Sequence, residues 1–198
     1  MEDRELAGVV HRAAAGDQQA WNQLVDRFSR LLWSITSGYR LSQADAADVL
    51  QTTWLRLLEH LDSVRDPERL GSWLATTARR ECLRTLRRAN RLVPTDDDTR
   101  LAPEPDPTPG PEAALLLSER DQQLRQALAL LPERSQRLLR IAASGASYEE
   151  IAAALDMPIG SIGPTRARCL ERLRRNLVAA GAGPARPLAT AGLSQRVA

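Results

Sequence analysis

The sequence predicts an all-α protein of two small helical domains, an N-terminal helical bundle and a C-terminal four-helix domain with a helix-turn-helix, joined by an acidic, proline-rich linker. Three observations lead there. Apolar residues recur at spacings of three and four, the period of a helix with one buried face, and no window alternates as a half-buried strand does. Capping residues, Pro and Gly punctuate these runs. Between them, Asp96, Asp97 and Asp98 are followed by Pro103, Pro105, Pro107, Pro109 and Pro111, a stretch that can complete neither helix nor sheet hydrogen bonds and buries little.

The elements follow in order. Asp17 is placed to N-cap a helix with Ala20, Trp21, Leu24, Val25, Phe28, Leu31, Leu32 and Ile35 on one face, and Gly38 suits its end. Ser42, with Asp45 three residues on, resembles a capping box with Asp in place of the usual Glu or Gln. It opens a helix carrying Ala46, Val49, Leu50, Thr53, Trp54, Leu57, Leu58 and Leu61 on one side. Asp66 before Pro67 is an N-cap followed by Pro at the first helical position, opening a helix through Leu70, Trp73, Leu74, Ala78, Cys82 and Leu86. The second domain starts near Glu112 with an apolar helix through Leu116, Leu117, Leu124, Leu128 and Leu131. Pro132 opens the next, carrying Leu138, Leu139 and Ile141, and Gly145 stops it. Ser147 to Glu150 forms a capping box for the short helix Tyr148–Leu155. A tight break over Asp156 to Gly160 leads to a helix from Ser161 or Pro164 to about Asn176, in which Ile162, Cys169, Leu170 and Leu173 are apolar.

These elements divide the chain into residues 1–90, a helical bundle; 91–112, a flexible linker; 113–176, the helix-turn-helix domain; and 177–198, a disordered tail rich in Ala, Gly and Pro. Net charge over the 198 residues is only +2, and all 27 basic residues are Arg. Their placement matters more than their number. Six of the seven aromatics lie in the first domain, so the two are expected to have separate cores.

Most enzyme chemistry has nothing to stand on. Two distant cysteines, Cys82 and Cys169, sit inside helical patterns, and His11 and His60 have no ligand-like spacing. No Gly-rich phosphate loop, nucleophile elbow or metal-binding pair occurs, so no catalytic residue, metal or cofactor is expected. No apolar run approaches a membrane span, so no transmembrane helix is expected, and the acidic stretch Met1-Glu2-Asp3-Arg4-Glu5 lacks the apolar run of a signal peptide.

Two basic helices stand out. The short helix, tight break and Arg-rich helix over 147–175 look like a helix-turn-helix. Ala152, Ala153 and Ala154 allow close helix approach, and the second helix offers Ser161, Thr165, Arg166 and Arg168 at its start, with Arg172 beyond. Arg grips guanine edges and phosphates in two-pronged fashion. At the end of the first domain, Arg80, Arg84, Arg87, Arg88 and Arg91 form one stripe at spacings of three and four, and Arg79 adjoins it. Either run taken alone also fits a plain solvated helix face. The 22 residues from 91 to 112 can stretch to at most ~75 Å, enough for two readers set about two helical turns apart on one duplex. Trp21, Trp33, Trp54 and Trp73 fall at helical spacing and are expected in the core, although Trp73 is also able to stack on a base.

The chain resembles the extracytoplasmic-function sigma factors of bacterial RNA polymerase. The resemblance rests on Asp45-Ala46-Ala47-Asp48-Val49-Leu50-Gln51-Thr52-Thr53-Trp54-Leu55, similar to the region-two motif, and on Gly71 to Arg80, similar to the helix that follows it. Leu131 to Arg134, with Tyr148 to Ala152, Gly160 to Ile162 and Arg166 to Arg168, looks like region four. It implies that Asp48, Leu50, Gln51, Thr52 and Leu55 dock on the polymerase clamp. The loop from Asp62 to Arg69 would capture a flipped base of the minus-ten element, with Ser63, Arg65, Arg69 and Trp73 near it. Arg79, Arg80, Arg84, Arg87 and Arg88 would hold the opening duplex, and Ser161, Thr165, Arg166, Arg168 and Arg172 would read the minus-thirty-five element. Core RNA polymerase and promoter DNA are the implied partners, an anti-sigma factor is admitted by the family, and the cytoplasm is the implied location. Thr52 stands where the family often has an acid, Gly163-Pro164-Thr165 replaces a frequent Lys-Ser-Arg run, and Asp156 stands where Gly often ends the first helix of the pair. Asp tolerates the left-handed backbone such a turn needs better than most residues do. The rival readings are a stand-alone helix-turn-helix regulator, which needs a dimer interface or ligand domain that is not evident, and a helical adaptor without a nucleic-acid role.

Overall fold

The computed structural model describes residues 3–92 and 119–179, and all regular structure in them is helical. The helices are α1 (Asp3–Ala14), α2 (Gln18–Thr36), α3 (Gln43–His60), α4 (Leu70–Leu92), α5 (Glu119–Ala129), α6 (Glu133–Ala143), α7 (Tyr148–Leu155) and α8 (Ile162–Ala179). Short 3₁₀ turns occupy Ser37–Tyr39, Leu61–Ser63, Pro67–Arg69 and Ile159–Ser161. Leu116, Leu117 and the rest of 93–118, with 180–198, lie outside the described residues; α4 carries on through Leu92, past the expected start of the linker at 91, and α8 through Ala179, past the expected start of the disordered tail at 177.

Several termini follow from local chemistry. Asp17 caps α2, its carboxylate accepting from the backbone N–H of Gln19 at 2.8 Å and of Ala20 at 3.2 Å. Ser42 caps α3 by accepting from Asp45 N–H. Its hydroxyl also donates to the Asp45 carboxylate at 2.7 Å, so the reciprocal half of a capping box is replaced by a side-chain bond. Ser147 and Glu150 form the complete box on α7: Ser147 accepts from Glu150 N–H, and Glu150 accepts from Ser147 N–H at 2.8 Å. Gly145 ends α6 at φ +86 and Asp156 ends α7 at φ +54, both left-handed.

Other expectations are corrected. Residues 3–14 form a helix because Leu6, Val9, Val10 and Ala13 repeat at helical spacing and are buried against α2 and the turns at Leu61–Ser63 and Pro67–Arg69. Gly38 does not end α2. That helix tightens into the turn Ser37–Tyr39, and Arg40 takes the left-handed position at φ +49. Asp66 does not cap α4; a 3₁₀ turn intervenes and the Asp66 carboxylate pairs with Arg69 at 2.9 Å instead. The last helix spans Ile162–Ala179, with Ser161 in the turn before it.

The largest departure lies in the core. The first four helices bury Leu24, Leu32, Ile35, Leu57 and Leu74, and the last four bury Leu138, Ile141, Ile151 and Ile162. These residues belong to one continuous apolar cluster and not to the two separate cores expected. The reason is α4, which packs on α2 and α3 and makes its most extensive contact with α7, while α2 also touches α6. On α4, Gly71, Ala75, Ala78 and Cys82 are small and buried, leaving room for a neighbouring helix. Polar groups join the same seam. Arg140 Nη1 donates to the Ser37 carbonyl at 2.8 Å, the Arg137 guanidinium sits 4.7 Å from the centre of the Tyr39 ring, and the Ser34 hydroxyl donates to that of Ser144.

Candidate nucleic-acid interface

The α3 helix is anchored by Val49, Thr53 and Leu57, all buried, which turns the opposite face outward. Asp48 and Gln51 are exposed, as is Leu55, while Leu50 and Thr52 are half-buried. Leu58, expected on the buried side, is 57% exposed and continues the outward ridge from Leu55. Two large apolar side chains in water beside carboxylate and amide groups form a surface suited to a protein partner. A groove of about 690 Å³ runs between this ridge and α4; Asp48, Gln51, Thr52 and Leu55 line one wall, and Arg84 and Arg88 the other. The Arg56–Glu81 ion pair at 2.8 Å straps the helices together, with Glu81 almost fully buried. The proposed polymerase contacts therefore share one groove with two arginines assigned from sequence to DNA.

The basic stripe of α4 divides. Arg80, Arg84, Arg87 and Arg88 are exposed. Arg79 is not free: its Nη2 donates to the Asp156 carboxylate at 2.6 Å, across the seam between the halves. The side chain of Arg91 is outside the described set.

The loop joining α3 to α4 runs through both 3₁₀ turns. Leu61 is its buried anchor, and α1 packs against both turns. Ser63, Arg65 and Arg69 are exposed on it; the Ser63 hydroxyl donates to the His60 carbonyl. Sequence reasoning missed α1 as the support of this loop, and its Leu6-Val9-Val10-Ala13 spacing was the available signal. Trp73 is 37% exposed at the start of α4, with the His60 ring 6.2 Å away, so it belongs to the surface and not to the core. Trp33 is likewise exposed, whereas Trp21 and Trp54 pack edge to face with ring centres 6.0 Å apart.

In the second half, α7 and α8 cross through the left-handed Asp156. Ile162 and Cys169 bury one side of α8, and Asn176 Nδ2 donates to the Ala127 carbonyl to tie α8 to α5. Leu124 on α5 is exposed, against expectation. The other side of α8 presents Arg168 and Arg172 to solvent, with Thr165 and Arg166 half-buried beside them. Arg168 donates to the Thr165 hydroxyl, and the Ser161 hydroxyl donates to the Pro158 carbonyl.

Cys82, fully buried in α4, is pushed by burial to a pKa of about 12, far from thiolate chemistry at neutral pH. Burial also raises Tyr39, with Arg137 opposing the shift. Among the described residues no helix is long and apolar enough to cross a membrane.

Comparison with known proteins agrees with this layout. The family model for sigma-70 region 2 matches residues 24–92, which take in α2 from Leu24 onward, the α3–α4 groove and the loop between them. The chain is 30% identical over 162 residues to the ECF RNA polymerase sigma-E factors of Salmonella typhimurium and Escherichia coli K12, covering 78% of this chain and 84% of each relative. It is 25% identical to the Haemophilus influenzae factor of that name, over 85% of this chain and 93% of the relative. Among solved structures it resembles the sigma factor RpoE of Bartonella quintana, in complex with the anti-sigma factor NepR (TM-score 0.60, 26% identity, 80% of this chain and 96% of that one). It shares the fold of CnrH, solved with the cytosolic domain of CnrY (TM-score 0.56, 24% identity, 89% and 97%).

Proposed function

The chain belongs to the ECF RNA polymerase sigma factors, and from that premise we propose how its residues divide the work of directing core polymerase to promoters. The observation that carries the reading is the outward ridge of α3 backing onto an arginine-lined groove, with a helix-turn-helix in the same chain. Asp48, Leu50, Gln51, Thr52 and Leu55, joined by Leu58, dock on the polymerase. Arg80, Arg84, Arg87 and Arg88 hold the upstream edge of the opening duplex by phosphate contacts, the sequence-independent part of DNA affinity.

The loop with Ser63, Arg65 and Arg69, backed by α1 and flanked by Trp73, receives a base extruded at the minus-ten element. Unstacking a base costs a few kcal/mol, which contacts in the loop and the ring of Trp73 offset. Ser161, Thr165, Arg166, Arg168 and Arg172 read the minus-thirty-five element from the major groove. Residues 1–90 and 113–176 act as the two readers, with 91–112 as their tether. The chain adds binding energy and no catalytic step, and it works in the cytoplasm where the polymerase is. A polypeptide of the anti-sigma kind is a further partner, competing for the surfaces polymerase needs.

Run-off transcription tests the reading. Purified chain plus core polymerase gives promoter-specific transcripts that neither gives alone. Tight binding of the chain alone to a palindromic duplex, with no transcript on adding core, would instead favour the stand-alone regulator.

A further inference from the structure

We propose that the recess between α4, α6 and the turn Ser37–Tyr39 is a binding site for a small phosphoryl anion, either free phosphate or a phosphate monoester, gripped by Arg79, Arg134 and Arg137. The inference goes beyond the sigma reading above, which gives Arg134 and Arg137 no part.

Charge is the first observation. The recess has a volume of about 450 Å³, and Arg79 from α4 and Arg134 and Arg137 from α6 meet only one carboxylate on its walls, that of Asp156. Asp156 holds Arg79 at 2.6 Å. Glu133 stands 3.2 Å from Arg137 but also pairs with Arg40 at 3.4 Å. Four guanidinium groups therefore answer to two carboxylates. Arg134 is exposed and has no ion-pair partner among the described residues. Arg137 Nε is buried without a hydrogen-bond partner in the protein, a costly state for an N–H unless something accepts from it. Arg134 and Arg137 also stand in the first two turns of α6, where the helix dipole disfavours cations and favours an anion. Gly38 permits the arrangement: a Cβ there would lie 2.8 Å from Arg137 Cγ, so the Arg137 stem passes only because that Cβ is missing.

The donors name the class of ligand. A guanidinium is a planar fork that matches phosphate oxygens, and a phosphoryl dianion balances the surplus of positive charge. Leu83 and Leu155, on the same walls, offer apolar contact to the organic part of an ester. Depth separates this site from the DNA contacts proposed above. Arg84, Arg88, Arg168 and Arg172 are exposed, where a duplex backbone can lie along them. The side chains of Arg79 and Arg137 are only 21% and 25% exposed. A phosphoryl group on a small molecule reaches into such a recess, and the backbone of a duplex does not. A bound anion stabilises the folded chain by mass action, so its occupancy raises the melting temperature.

The test titrates the full chain with inorganic phosphate and with adenosine 5′-monophosphate, following heat and thermal unfolding at constant ionic strength. Saturable one-to-one binding and a concentration-dependent rise in Tm are expected. Arg134→Ala, which breaks no ion pair, is expected to weaken binding about 5- to 50-fold, the range of lost charge-assisted hydrogen bonds. Gly38→Ala displaces the Arg137 stem without changing any charge and is expected to weaken it about two- to tenfold. Arg125→Ala removes the same charge from an exposed position on α5 and should bind as the native chain does. Tighter binding of the nucleotide than of phosphate supports the site with a monoester as its ligand; equal affinities support it with free phosphate. A linear response that sodium chloride reproduces would show an adventitious ion only and overturn the proposal. Saturable binding that survives both Arg134→Ala and Gly38→Ala would place the anion elsewhere and overturn it too. Saturation by a short non-promoter duplex, lost in Arg134→Ala, with neither small anion binding, would give the recess to DNA and overturn it as well.

Discussion

Replacing Leu55 and Leu58 with Ala separates docking from folding. Both lie on the outward ridge of α3, 50% and 57% exposed, while Val49, Thr53 and Leu57 anchor the opposite face. Full burial of a leucine is worth ~1.5–3 kcal/mol. About half of each side chain still awaits burial, so each contributes roughly 0.8–1.5 kcal/mol to a partner that covers it. At ~1.4 kcal/mol per tenfold, one substitution weakens core polymerase binding by ~4- to 12-fold and the pair by ~15- to 150-fold. Titrating a labelled chain with core polymerase and following anisotropy measures the loss, with thermal unfolding as the control. Affinity within twofold of native for the double variant, at unchanged Tm, would refute the assignment of this ridge.

Three further outcomes are expected. Arg166→Ala with Arg168→Ala lowers promoter output ~5- to 100-fold at unchanged Tm, the range of lost base and phosphate contacts; undiminished run-off would favour an adaptor without a DNA role. Glu81→Ala, which breaks the strap to Arg56, costs ~1–3 kcal/mol in urea unfolding. Alkali destabilises the chain: the Cys82 thiol titrates near 9.0 when unfolded and about 12 when folded, so the unfolded state loses its proton first. Stability from this group is intact below pH 9 and falls by up to ~1.4 kcal/mol per pH unit between the two values. Cys82→Ala should flatten that slope in unfolding curves taken at successive pH values.

What the sequence revealed was local. Asp17, Ser147 with Glu150, Gly145 and the left-handed Asp156 each act through backbone groups within a few residues, so their roles are legible without tertiary knowledge. Periodicity identifies a face but not what covers it. Leu58, Trp33 and Leu124 all fit an apolar stripe, yet the described residues leave each of them about half exposed. Asp66 has the right residue and the right proline for a cap, but its ion pair with Arg69 and a 3₁₀ turn win instead. The merging of the two cores depends on contacts between helices far apart in sequence, for which the small residues of α4 were the only trace. At the candidate site, the α3 set and the exposed arginines were readable as helical spacing. The support from α1 and the capture of Arg79 by Asp156 were not, because both are long-range.

The central claim is that this chain lets polymerase open DNA. A promoter carrying a fluorescent adenine analogue at the minus-ten element reports it directly. Fluorescence should rise on adding chain and core polymerase together, and with neither component singly. An unchanged signal with both present, on a promoter the pair demonstrably binds, would contradict the account.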